Sequence, residues 1–189
     1  MRKITLRKAK ALQESITEFI KGIEVNGTIE LNEFQVPSIE VTKARILALD
    51  NNSRRDQLLT VVYHIRAAIG RANVESGVSD LLADAALLDK RMGHLKALVE
   101  LASPYDQEVT NGRIAQLKEM TPDHRRYGFA GGVETGVFNQ EQLTEFTSNL
   151  LTLKKVKQQI NDKILELNVT TEITLTEHDA AVLVKEQLL

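Results

Sequence analysis

Two short clusters carry the side chains best suited to chemistry. The first is Asp123-His124-Arg125-Arg126-Tyr127-Gly128-Phe129-Ala130-Gly131-Gly132. Arg125 and Arg126 offer paired N–H donors to phosphate or carboxylate, and His124 adds a titratable donor. Tyr127 offers a face on which a base can stack, and the glycines let backbone N–H groups approach an anion closely. The plain alternative is a solvated surface loop, because Gly-Gly beside Tyr and Phe is also ordinary hairpin chemistry. The second cluster is Arg71-Ala72-Asn73, with Asp89, Lys90 and Arg91 expected nearby on a return helix. Its alternative is helix capping with exposed ion pairs, each contributing little.

Other chemistries leave no trace. The four histidines, His64, His94, His124 and His178, lack the spacing of a helical metal site. His64 and His94 read as ordinary helix-face residues. There is no H-E-x-x-H, no G-x-x-x-x-G-K-[ST] and no G-x-S-x-G. The absence of cysteine excludes disulfides, thiolate zinc sites, iron–sulfur clusters and a thiol nucleophile. The expectation is a non-enzyme without a cofactor or transition metal. An oxygen-bound Mg²⁺ or Ca²⁺ stays open, because carboxylates are abundant.

These residues must be positioned by helices. Only ten Gly and three Pro interrupt 189 residues. From Ser79 to Ala102 the apolar positions Leu81, Ala85, Leu88, Met92, Leu95, Val99 and Ala102 form a one-face seam, with Ser79 as the expected N-cap. Leu58, Val62, Ile65, Ile69 and Ala72 repeat the pattern, and residues 73–78 connect the two as an antiparallel hairpin. The earlier helix could begin at Val41, with Asn51-Asn52-Ser53 marking either a kink or a boundary. A third long helix, about 40 Å, is expected from Gln140 to Leu167, opened by an Asn139/Gln142 capping box. A shorter one spans Thr5–Lys21, with Gly22 as its C′ residue. Its basic side chains (Arg2, Lys3, Arg7, Lys8 and Lys10) suit a membrane or RNA surface, or simply the outer face of an amphipathic core helix.

Strand signals fill the gaps. Ile23-Glu24-Val25 and Thr28-Ile29-Glu30-Leu31 flank Asn26-Gly27, a strong hairpin signature. Val169–Leu175 reads as a strand, and Thr176-x-x-Asp179 opens a last helix through Leu188. Further strands are expected at Arg113–Met120 and Val133–Phe138. The predicted fold is therefore mainly α: an elongated antiparallel helical hairpin or three-helix bundle with small β elements at one end. It forms one domain over 1–189, with a helix plus β-hairpin at about 5–36 and an irregular loop/β insertion at about 104–138.

Two of these stretches resemble the septicolysin-like family of small helical proteins. Ile69-Gly70-Arg71-Ala72-Asn73, followed by Gly77 and the leucine-rich run to Leu95, is similar to that family's helix end and return helix. Ile164-Leu165-Glu166-Leu167-Asn168-Val169-Thr170-Thr171 is similar to its closing element. The match covers about 58–101 and 143–173. It implies that Arg71, Asn73, Asn168 and Thr171 fall at family motif positions, where polar groups could line an anion-binding pocket, and its name implies a cytolysin.

Charge bears on partners. Against 26 acidic residues stand 24 Lys and Arg, a formal charge of −2, so no nucleic acid or membrane partner is expected. The basic N-terminus lacks the apolar run of a signal peptide, which points to a cytoplasmic protein. The leading expectation is a homo-oligomer that sequesters or senses a small anionic, nucleotide-like ligand. The alternatives are a structural or viral accessory interaction protein, and a membrane-active cytolysin-like protein.

Overall fold

The computed structural model describes residues 2–101, 103–119 and 132–189. Within them the chain is mainly α, with six helices and one two-stranded sheet. The order is β1 (Arg2–Thr5), α1 (Leu6–Gly22), α2 (Pro37–Glu75), α3 (Val78–Leu101), α4 (Gln107–Glu119), α5 (Gln140–Thr170), β2 (Glu172–Leu175) and α6 (Glu177–Lys185). Two compact units result. One comprises the described residues up to Leu81 together with Lys163–Leu189, and the other spans Leu82–Asp162.

In the first unit, β1 and β2 pair antiparallel, with Ile4 opposite Ile173 and Arg2 opposite Leu175. Side chains alternate along a strand, so Ile4, Ile173 and Leu175 all turn inward. They meet Leu6, Ala9, Ile16 and Ile20 of α1, the α2 seam Leu58–Val61–Val62–Ile65, and Leu183 of α6. The Thr5 hydroxyl caps α1 by accepting the Lys8 N–H at 3.3 Å. Thr176 caps α6 likewise, accepting the Asp179 N–H at 3.0 Å.

Several boundaries differ from expectation. α2 is a single helix of 39 residues, with Pro37 in its first turn, where the missing N–H costs nothing. Asn51 does not break it. Its side-chain amide donates to the Glu24 carbonyl at 2.8 Å, so the polar interruption fastens a neighbouring segment. That segment, 23–36, holds no strand, which corrects the hairpin read around Asn26-Gly27. A two-residue I′ turn needs positive φ at both central residues, and neither adopts it. Two isolated short strands are marginal in water, and Val25, Ile29 and Leu31 lie instead along Val41, Ala44 and Leu49 of α2.

Helix ends shift for local reasons. α2 runs on to Glu75, and Gly77 at φ +78° makes the turn, its carbonyl accepting the Leu81 N–H. Ser79 therefore lies inside α3 rather than capping it. Gly22 closes α1 within the helix, and Ile23 is the cap. Val169 and Thr170 finish α5 instead of opening the strand. α6 stops at Lys185, because Gln187 takes φ 57° and Leu188 N–H folds back to the Leu183 carbonyl at 2.9 Å.

In the second unit α3 faces α5, where Lys157 bonds Asp89. The Asn139/Gln142 capping box forms in both directions, at 3.1 and 2.8 Å. The strand read at Arg113–Met120 is corrected: its described residues belong to α4, whose first turn is capped by Asp106 Oδ1 accepting the Val109 N–H at 2.9 Å. Val133–Phe138 is likewise no strand. It is held by Tyr105 N–H donating to the Phe138 carbonyl, by a Thr110–Thr135 hydroxyl bond of 2.8 Å, and by Phe138 edge-on to Phe146. A Cβ on Gly136 would stand 1.7 Å from the Ser103 carbonyl oxygen. Gly136→Ala should therefore lower stability by about 1–3 kcal/mol, since backbone cannot yield as a side chain can. An unchanged thermal midpoint would contradict that close approach.

Candidate functional site

A groove of about 730 Å³ in the first unit lies between α1 and the last turns of α5. Leu6, Arg7, Lys10, Ala11 and Glu14 recur at helical spacing and form one wall. Leu165, Glu166, Asn168 and Val169 form the other. The end of the groove is pinned by backbone: Thr171 N–H donates to Leu167, and the Thr171 carbonyl accepts the Leu6 N–H, both at 2.9 Å.

Its electrostatics favour an anion at one end. α1 has no acidic residue in its first turn, and Arg7 and Lys10 lie near that positive helix end, with Glu14 and Glu166 farther along the lining. Among the described residues neither cation has an ion-pair partner. The apolar surface is waiting to be covered: Leu165 is 64% exposed and Val169 lies open beside it. A groove of this size, with apolar walls and a few polar groups, is the usual setting of a small-molecule site.

Arg71 lies elsewhere. It lines a cavity of about 220 Å³ with His64, Ala68, Thr174, Thr176 and Asp179. Asp179 is only 2% exposed, and its carboxylate meets His64 Nδ1 at 3.0 Å, which leaves Nε2 as the outward nitrogen. This cavity has less than a third of the volume of the α1–α5 groove. Asn73 lines neither space; its carbonyl accepts the Ser76 hydroxyl at 3.5 Å in the turn after α2. Asn168 lines the larger groove, while Thr171 contributes the backbone pin. His124, Arg125, Arg126 and Tyr127 lie outside the described residues.

Sequence reasoning missed Arg7 and Lys10 as site residues, although their step of three places them on one helix face. It also missed the His64–Asp179 pair. His64 and Arg71 are seven residues apart, two turns on one face, and that spacing was readable. Among the described residues no group of three or more His, Asp or Glu is placed to hold a metal ion, and no helix is long and apolar enough to cross a membrane. No family model, no curated protein and no solved structure matches the chain.

Proposed function

We propose that this chain is a non-enzymatic, homo-oligomeric binding protein for a small anionic, nucleotide-like ligand, held in the α1–α5 groove. The observation that carries the reading is the pairing of two unpartnered cations, Arg7 and Lys10, with exposed apolar walls in one groove. A phosphate would meet Arg7 and Lys10 near the start of α1. A base would lie against Ala11, Leu165 and Val169, and the Asn168 amide would read its edge. Glu14 and Glu166 are acceptors for sugar hydroxyls.

Calorimetry with adenosine 5′-monophosphate tests this, beside native and denaturing mass spectra of the purified protein. Each charge-assisted contact contributes about 1.5–3 kcal/mol. The double change Arg7→Ala with Lys10→Ala should therefore weaken binding at least ten-fold while the helical circular dichroism stays intact. Arg71→Ala should leave the affinity unchanged. If binding survives the double change within a factor of three, the groove is not the site.

A scaffold role without a small-molecule site is the second reading. Its support is the apolar surface on the first half of α2 and the segment before it, where Phe34, Val36, Ile39, Ile46, Leu47 and Leu49 are exposed. The same surface supports self-association. Light scattering that returns a 21 kDa monomer at micromolar concentration would remove the oligomer from the proposal.

A further inference from the structure

Near charge neutrality overall conceals a local excess of cations on two facing helix stretches of the second unit. Asp89–Glu100 of α3 and Thr147–Asp162 of α5 contain Lys90, Arg91, Lys96, Lys154, Lys155 and Lys157, against the three carboxylates Asp89, Glu100 and Asp162. Asp89 is occupied by Lys157, and Lys96 reaches Glu100 at 3.5 Å. Lys90, Arg91, Lys154 and Lys155 are exposed, and among the described residues none has an ion-pair partner.

Three of these cations, Lys96, Lys154 and Lys157, line a groove of about 500 Å³ between α3 and α5. Lys96 stands on one wall, Lys154 and Lys157 on the other, with Asn161 continuing the row and the Gln158 amide donating to Asp162 Oδ1 at 3.0 Å. Gly93 forms part of the floor, and nothing lies within 4 Å of where its Cβ would be. An interior helical glycine is unfavourable, and here it leaves the backbone open to a ligand. No aromatic residue lines the groove, so it has phosphate donors without a stacking platform.

From this juxtaposition we infer that the α3–α5 groove binds the sugar–phosphate backbone of a single nucleic-acid strand, without regard to sequence. Lys154 to Asn161 spans about 10 Å of helix, the length of about three nucleotides of a stacked strand. Lysines on both walls suit a strand lying between the helices better than a duplex resting on one of them. Net charge, on which no nucleic acid partner is expected, averages over separated charges and so does not bear on a single groove.

Fluorescence anisotropy with a labelled 20-nucleotide mixed-sequence DNA strand, its duplex, and vesicles rich in phosphatidylserine tests the inference. The strand should bind more tightly than the duplex and equally for unrelated sequences. The slope of log K against log salt should be about −2, as three neutralised phosphates require on a single strand. Lys96→Glu with Lys154→Glu should weaken binding at least thirty-fold. Gly93→Leu, which fills the floor without changing charge, should weaken it at least five-fold. Both changes fall at exposed helix positions, and Lys154→Gln, with a smaller loss and a slope shallower by about 0.7, serves if the reversal misfolds. Strand affinity unchanged within a factor of three in the double reversal overturns the inference. So does equal affinity for Gly93→Leu, or binding of vesicles without binding of the strand.

Discussion

Replacing Leu58 by alanine should destabilise the first unit by about 2–5 kcal/mol, a large part of the about 5–15 kcal/mol that holds an ordinary domain together. Leu58 is 0% exposed and lies in the cluster that α1, α2, the sheet and α6 share. Truncation removes the transfer free energy of three carbons and leaves a cavity that neighbours on three sides cannot close. Leu58→Met, similar in volume, should cost less than about 1.5 kcal/mol. In urea titrations the alanine variant should show a lower midpoint at unchanged slope. A midpoint equal to that of the parent would mean that the α2 seam is not the centre of this core.

Arg54→Ala should be the more damaging half of an unequal pair. Arg54 grips Glu186 with Nε to Oε1 at 3.1 Å and Nη2 to Oε2 at 2.6 Å. The two side chains differ in exposure, 32% for Arg54 and 7% for Glu186. Without Arg54 a nearly buried carboxylate loses its partner, which should cost about 2–4 kcal/mol. Without its carboxylate, Arg54 can turn to water, so Glu186→Gln should cost about 1 kcal/mol. The hydrogen bonds from Arg54 hold the Glu186 carboxyl below its ordinary range, opposing burial and joined by the charges of Arg54 and Lys185. Glu186 thus binds its proton more weakly folded than unfolded. Its contribution is present above the unfolded value of about 4.3 and is lost as pH falls through the lower folded value. Chemical denaturation from pH 6 to pH 3 should show a shallower loss of stability in Arg54→Ala than in the parent. Parallel curves would mean that the pair does not persist in solution.

The long helices were legible because their apolar residues recur over many turns, and because two caps, Asn139/Gln142 and Thr176, sit where the periodicity begins. What escaped was short or depended on distant partners. β1 is four residues, Arg2-Lys3-Ile4-Thr5, whose alternation is too brief to separate from a basic helix start. The strand-like residues 23–31 obeyed the neighbouring face of α2 over their own turn signal. α4 hid behind β-compatible residues, although Asp106 stood as a cap three residues before Val109. In the candidate groove, Asn168 lines one wall. Arg7 and Lys10 read as surface charge, because only the approach of α5 gives them a shared wall. Asp179 looked like half of a capping box, and its partner His64 lies 115 residues away along the chain.

The pairing of β1 with β2 also imposes an order of events during synthesis. α1 and the α2 seam emerge from the ribosome before the residues that close their core, Ile173, Leu175 and Leu183. Between them lies the whole of Leu82–Asp162, about 4–16 s of translation at 5–20 residues per second. Throughout that interval the apolar seam of α2 lacks β2 and α6, whereas the second unit has all its segments once Asp162 is made. The first unit is thus completed only after the second has been made.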